Sequence, residues 1–187
     1  MTKAKIKEIV TACMKNRVLC RVFLRYNAYY TYYFPLLASD KLFLGAKEDD
    51  FILDGYTVRQ FKDVTKAQIK NDMCNEILIK EGIVDSIVMP EIDLTDWQTV
   101  FSSLQKRNKN IIVEKESIDE DECEFYIGRI ESVYKKFVYV RHFDADGVWQ
   151  DEPYKIPYTE ITSITFDSRY INIYSKYLSD LPENFGR

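Results

Sequence analysis

The fold is decided by a change of pattern between two neighbouring stretches, IKEIVTACM at residues 6–14 and VLCRVFLRY at residues 18–26. In the first stretch the apolar residues have the three-to-four-residue spacing of a helix that buries one face. In the second they alternate with other residues, which is the two-residue period of a β-strand. The sequence therefore predicts a short amphipathic helix, capped by Thr2, that leads directly into β structure.

The same order of elements occurs a second time along the chain. Helical spacing returns at residues 97–104 after Thr95, which is a suitable N-cap residue. Stretches rich in β-branched and aromatic residues then follow, as they do after the first helix. These strand-like stretches lie at residues 28–36, 41–46 and 51–59 in the first half, and at 111–116, 124–133, 137–143, 148–156 and 161–166 in the second.

This repetition predicts a mainly β (α+β) protein with two tandem small five-stranded bent barrels, each preceded by a short amphipathic helix. Residues 1–84 form the first unit and residues 95–187 the second. Residues 85–94, which contain Pro90, form an extended connector. Each unit is expected to end in a helical or extended tail, at residues 72–80 and 169–178.

The stretch YIGRIESVYKKFV at residues 126–138 resembles the first motif of Sm-like, SH3-type small barrels in its spacing. In such a barrel Gly128 would lie where the second strand bends and a side chain would collide with the opposite wall. The Asp and Asn that this family uses to read RNA bases are replaced here by Tyr134 and Val138. The family's second motif finds no match near residues 163–170. The chain also resembles small bacterial proteins of the same two-unit layout, so the resemblance implies a fold and no activity.

Composition limits the class of protein without indicating a function. Apolar residues make up 46% of the chain and aromatic residues 14%, which is typical of a folded domain and favours β structure. No apolar run is long enough to span a membrane, and residues 1–5 do not begin a signal peptide, so we expect a cytoplasmic protein without membrane partners. Residues 1–47 carry a net charge of +7 within a chain of net charge −4. Such a segment can bind a polyanion, the acidic part of its own chain or a second copy.

A basic and aromatic stretch in the first unit is the best candidate site. If residues 18–26 form a strand, three of its side chains share one face and lie next to the tyrosine-rich stretch that follows. Rings that stack on bases and guanidinium groups that contact phosphates are what single-stranded nucleic acid requires. One alternative is that half of the tyrosine rings fill the barrel and the others pack against the second unit, and another is that the stretch binds a protein partner. The residues of this predicted nucleic-acid site are Arg21, Phe23, Arg25, Tyr29, Tyr30, Tyr32 and Tyr33.

Catalytic chemistry finds little support in the sequence. His142 is the only histidine and lies close to Asp144 and Asp146. The Asp-Gly pair at 146–147 favours a hairpin turn over a calcium loop, whose glycine and closing glutamate are missing. The acidic run at residues 114–124 is typical of a solvated loop or a docking face. We therefore predict no catalytic residue, no metal ligand, no cofactor, and four cysteines that are buried free thiols.

Three hypotheses for the function remain. The first is a non-enzymatic interaction module that binds a protein partner or another copy of itself through β edges or grooves. The second is a nucleic-acid binder that uses the basic and aromatic stretch, although the isoelectric point of about 5.2 argues against it. The third, remote hypothesis is a metal-dependent enzyme built on His142, Asp144 and the acidic run.

Overall fold

The computed structural model describes residues 1–186 and shows a mainly β protein of the α+β class, with four α-helices among these residues. Contacts between residues divide the chain into two compact units, Met1–Pro90 and Glu91–Arg187. The boundary lies inside the stretch predicted to be the connector, residues 85–94. No helix in the described part of the chain combines the length and the apolar character that crossing a membrane requires.

Unit 1 begins with a helix and ends with a helix, and its strands lie between them. Thr2 caps the first helix by accepting a hydrogen bond from the Lys5 backbone N–H at 3.3 Å, as predicted. Asp72 caps the second, which confirms the helical tail expected there. The elements in chain order are α1 (Lys3–Asn16), β1 (Leu19–Leu24), β2 (Tyr30–Ala38), β3 (Leu42–Asp49), β4 (Ile52–Gln60), β5 (Val64–Lys70) and α2 (Met73–Lys80).

Unit 2 repeats this order of elements. Its first helix is capped by Asp96, which forms a capping box with Thr99, and the prediction that Thr95 is the cap is therefore wrong. The elements are α3 (Trp97–Lys106), β6 (Asn110–Lys115), β7 (Glu124–Val133), β8 (Phe137–His142), β9 (Tyr154–Pro157), β10 (Ser163–Phe166) and α4 (Arg169–Tyr174).

The two units have the same strand order, which is strong structural evidence for the predicted repeat. The order is β5-β1-β2-β3-β4 in unit 1 and β10-β6-β7-β8-β9 in unit 2, with each neighbouring pair antiparallel. The fourth and fifth strands of each unit lie at opposite ends of its order. Hydrogen bonds among the described residues therefore do not close either sheet into a barrel.

Two predictions about local structure need correction. The strand expected at residues 148–156 is shorter, because Asp144 accepts hydrogen bonds from the backbone N–H groups of Asp146 and Val148 and holds the chain in a turn. This turn agrees with the hairpin signal of the Asp-Gly pair, and Gly147 supplies its positive φ of 76°. Cys123 is exposed and Cys74 is only half-buried, whereas we expected all four cysteines to be buried.

The sheet of unit 1 is covered by a helix on each face. On one face α1 inserts Ile6, Val10 and Cys13 against the β1 residues Cys20 and Val22, all of them at most 1% exposed. On the other face Leu78 of α2 packs against Leu19 and Phe34. Because α2 is only 8 residues long, it covers one end of this second face and leaves the region around Tyr30 accessible.

Candidate nucleic-acid interface

Strand pairing brings four of the seven predicted residues together on the second face of the unit 1 sheet. Arg21 of β1 lies opposite Tyr32 of β2, and Phe23 lies opposite Tyr30. All four side chains lie on the face that α2 covers only in part, and Tyr30 is 41% exposed. The two-residue period predicted that Arg21 and Phe23 share a face, but it did not indicate which tyrosines lie beside them.

The rings and the guanidinium group of this cluster pack closely against one another. The Phe23 and Tyr30 ring centroids are 5.5 Å apart in an edge arrangement, and those of Tyr30 and Tyr32 are 5.0 Å apart. The guanidinium carbon of Arg21 lies 4.3 Å from the centroid of the Tyr30 ring, within the range of a cation–π contact. One of its terminal nitrogens donates to the Tyr32 hydroxyl at 3.0 Å, and this bond raises the pKa of Arg21. Arg21 is thus held in place as a permanent cation.

Two lysines that sequence reasoning missed belong to the same surface. Lys66 of β5 lies opposite Phe23, with its ammonium group 5.0 Å from the centroid of that ring. The ammonium group of Lys70 lies 5.9 Å from the Tyr32 ring and forms an ion pair with Asp72, which raises the pKa of the lysine. We call the six residues Arg21, Phe23, Tyr30, Tyr32, Lys66 and Lys70 the unit 1 face.

The other three predicted residues do not contribute to the unit 1 face. Tyr33 points to the opposite side of the strand, is 1% exposed and packs edge-on against Phe43 in the core. Arg25 follows the end of β1, donates to the Lys62 carbonyl at 2.5 Å and lies 3.6 Å from a carboxylate oxygen of Asp63. Tyr29 precedes β2 and is 82% exposed, beside the unit 1 face rather than packed within it.

One carboxylate borders the unit 1 face. Glu48 of β3 lies opposite Tyr32, and its side chain accepts a hydrogen bond from the Phe51 backbone N–H at 2.7 Å. Burial raises the pKa of Glu48 above its usual value, and its side chain lies inside the protein rather than on the surface. Since Asp72 offsets Lys70, Arg21 and Lys66 supply most of the positive charge that remains for a ligand.

The corresponding face of unit 2 has different chemistry. Strands β1 and β6 are each six residues long and hold the same place in the strand order, so Ile112 corresponds to Arg21 and Glu114 to Phe23. Ile112 is buried in a cluster with Ile127 and with Ile171 of α4. The position of Arg21 on the basic and aromatic face of unit 1 is thus taken in unit 2 by an apolar residue that α4 covers, and the position of Phe23 is taken by a glutamate.

The remaining candidates from the sequence have structural roles. His142 pairs with Gly128 at the end of β8, and its Nδ1 lies 3.1 Å from the backbone nitrogen and 2.9 Å from the carbonyl oxygen of Ile127. Burial lowers the pKa of this histidine below its usual value of 6.5. In the acidic run, Glu124 pairs with Lys115 at 2.9 Å. No group of three His, Cys, Asp or Glu side chains within residues 1–186 is arranged to hold a metal ion.

Tyr134 and Val138 are the residues that we expected at the base-reading positions of an Sm-like barrel. Val138 is completely buried, and Tyr134 lies exposed in the turn between β7 and β8. Comparison with protein-family models, curated proteins and solved structures finds no match to this chain. Any function assigned to it therefore rests on the geometry of its own residues.

Proposed function

We propose that this chain is a non-enzymatic binding module and that the unit 1 face binds single-stranded nucleic acid. The observation that carries the proposal is the alternation of cations and rings on one accessible sheet face. Arg21 lies against Tyr30, and Lys66 lies above Phe23 on the adjacent strand. Bases stack on aromatic rings without regard to sequence, and phosphates accept hydrogen bonds from the neighbouring cations.

The geometry favours an unpaired strand over a duplex. The rings of Phe23, Tyr30 and Tyr32 lie on a sheet surface, where they can meet only bases that have left a helical stack. We expect little sequence preference, since the unit 1 face offers stacking and charge but few groups that read base edges.

The test is the salt dependence of binding to a fluorescent 12-nucleotide oligo-dT, measured by anisotropy. Contacts from Arg21 and Lys66 to phosphates give a slope of log K against log salt of about −1.4, at roughly −0.7 per phosphate for a single strand. Affinity should then fall roughly sevenfold between about 50 and 200 mM salt. Lys66→Ala removes one contact, so the same change of salt should cost the variant only about threefold in affinity.

A matched control comes from the other end of β2. Lys41 is exposed in the turn between β2 and β3, and Lys41→Ala removes the same charge from unit 1 without changing the unit 1 face. Its salt slope should equal that of the wild type. Absence of oligonucleotide binding at about 50 mM salt, or equal slopes for Lys66→Ala and Lys41→Ala, would refute the proposal.

A second candidate is a protein partner or a second copy, bound through the same part of unit 1. Arg and Tyr are also the residues that carry most of the affinity at protein interfaces. Strand β5 lies at the end of the strand order beyond β1, and Ile69 on it is 49% exposed, which suits strand addition by a partner. Sedimentation that shows a concentration-dependent dimer, abolished by Ile69→Lys, would favour this candidate.

We also propose that each sheet bends toward the small barrel that the sequence predicts. Support comes from the shared strand order and from irregular pairing within β2, β3 and β7, because bulges bend and twist a strand. A crystal structure in which the first and last strands of a unit curve toward each other would agree with this proposal, and flat sheets would refute it.

A further inference from the structure

A second cluster of rings lies in unit 2, at the turn between β7 and β8. The backbone N–H of Tyr134 donates to the Phe137 carbonyl at 3.0 Å and closes this turn. The Tyr134 and Phe137 rings are stacked with centroids 4.8 Å apart and an interplanar angle of 25°. Tyr139 meets both rings edge-on, at 5.9 and 5.6 Å. Tyr134 is 48% exposed, so one stacked ring remains accessible to a ligand.

Three lysines surround these rings. Lys155 of β9 lies opposite Tyr139, with its ammonium group 4.3 Å from the centroid of the Phe137 ring. Lys135 and Lys136 occupy the turn itself and are exposed. None of the three forms an ion pair within residues 1–186, in contrast to Lys70 on the unit 1 face. We call Tyr134, Lys135, Lys136, Phe137, Tyr139 and Lys155 the hairpin surface.

Buried polar contacts hold the hairpin surface in place. Arg141, which is 1% exposed, donates through Nε and a terminal nitrogen to the two carboxylate oxygens of Glu131 at 2.8 and 3.0 Å. The Tyr158 hydroxyl donates to the Tyr134 carbonyl at 2.7 Å. Rings positioned by such contacts lose little conformational freedom when a ligand stacks on them.

A cavity of about 460 Å³ adjoins the rings and is lined by Tyr134, Tyr139, Ser132 and Glu152, with Arg141 and Glu131 at its base. Arg141 neutralises the Glu131 carboxylate. The remaining negative charge on the cavity lining is therefore that of Glu152 at the rim. Phosphates are therefore favoured on the side of Lys135, Lys136 and Lys155, and a base is favoured against the rings.

We propose that the hairpin surface is a second contact for single-stranded nucleic acid, with an unpaired base on Tyr134 and phosphates on Lys135, Lys136 and Lys155. The choice of ligand rests on the function proposed for unit 1, but the residues, the strands and the unit are different. The hairpin surface is similar to the unit 1 face in composition, because each has three rings and three cations. All three cations lie over rings on the unit 1 face, and Lys155 does so on the hairpin surface. Two such contacts in one chain raise its affinity for a strand long enough to reach both.

The experiment uses the full chain and the fluorescent 12-nucleotide oligo-dT at about 50 mM salt. One double variant, Tyr134→Ser with Lys155→Glu, changes the hairpin surface. A second, Tyr30→Ser with Lys66→Glu, changes the unit 1 face. The matched control is Tyr177→Ser with Lys176→Glu, because both residues are exposed in unit 2 outside the hairpin surface. Far-UV circular dichroism, which reports on both units, verifies that each variant is folded, and Lys155→Glu alone replaces the first double variant if that one unfolds.

The two proposals fail in different ways. Stacking contributes about 1–3 kcal/mol per base, so each double variant should weaken binding at its own surface at least roughly tenfold. The loss appears as a lower affinity if one strand contacts both surfaces, and as one strand fewer per chain if two strands bind separately. The control should keep the stoichiometry of the wild type and an affinity within about twofold of it. A hairpin variant that binds as the wild type does would overturn this inference and leave the unit 1 proposal intact. Loss of affinity in the hairpin variant alone would support the inference and refute the unit 1 proposal. Failure of the wild type to bind would refute both, and a protein ligand would then be indicated.

Discussion

Substitution of Gly128 tests how closely strands β7 and β8 of unit 2 pack against each other. A Cβ atom added there would lie 1.8 Å from the Arg141 carbonyl oxygen, 2.8 Å from the carbonyl carbon and 3.0 Å from the His142 Cα. These atoms belong to the backbone of the paired strand β8, so relief of the clash requires the strand itself to shift by more than about 1 Å. That shift would disturb the pairing of β7 with β8 and the buried contact between Arg141 and Glu131. We expect Gly128→Ala to destabilise unit 2 by at least about 3 kcal/mol.

Urea unfolding followed by tryptophan fluorescence measures this loss directly. Trp97 and Trp149 are the two tryptophans of the chain and both are buried in unit 2, so the signal reports on that unit. Gly147→Ala is the control, because Gly147 has a positive φ of 76° but its nearest neighbour, Leu178, would lie at an ordinary 3.5 Å. Gly147→Ala should lower the free energy of unfolding by only about 1–2 kcal/mol, which is the cost of placing a residue with a side chain in the left-handed conformation. A Gly128→Ala variant within about 1 kcal/mol of the wild type would refute the reasoning.

Three further predictions concern buried or strained groups. Because burial lowers the pKa of His142, protonation favours the unfolded chain, and the stability of unit 2 should fall as the pH drops below about 6.5. His142→Gln should flatten this dependence, and an NMR titration of the single histidine should give a pKa below 6.5. Phe51→Gly should stabilise unit 1 by about 1 kcal/mol in a far-UV circular dichroism melt, since Phe51 has a φ of 65° in a hairpin turn. Glu131→Gln leaves the buried Arg141 charge without its partner and should cost about 3–5 kcal/mol in urea unfolding, whereas an unchanged midpoint would show that the ion pair is dispensable.

The order of elements was predictable because hydrophobic period is a local property of the chain. The apolar stripe of α1 and the alternation in β1 both appear in the sequence, and their recurrence predicted the second unit. Strand β5 was missed because its sequence, VTKAQIK, contains no aromatic residue and four polar side chains among seven residues. Its pairing with β1 is a long-range contact that no local pattern encodes.

The composition of the unit 1 face was predictable only in part, for a related reason. The run Tyr29–Phe34 contains no polar residue except Thr31, so its sequence does not indicate which tyrosines face the core. In the structure Tyr33 packs against Phe43 and is therefore a tyrosine that faces the core. Arg25 was assigned to the same face as Arg21, but β1 ends at Leu24, where its pairing with β5 shifts by one residue. Lys66 and Lys70 were not predicted because the strand that carries them, β5, was not predicted.

The divergence between the two units argues that the unit 1 face has a use of its own. A repeat that served only to build a stable sheet would keep the same chemistry at equivalent positions. Instead, Ile112 is buried beneath α4, whereas Arg21 at the equivalent place carries a charge between two tyrosine rings. A charged side chain on a half-covered face contributes less to stability than the isoleucine that the fold accepts in unit 2. Arg21→Ile should therefore preserve or raise the stability of unit 1 while it weakens oligonucleotide binding, and a loss of both would indicate a structural role for Arg21.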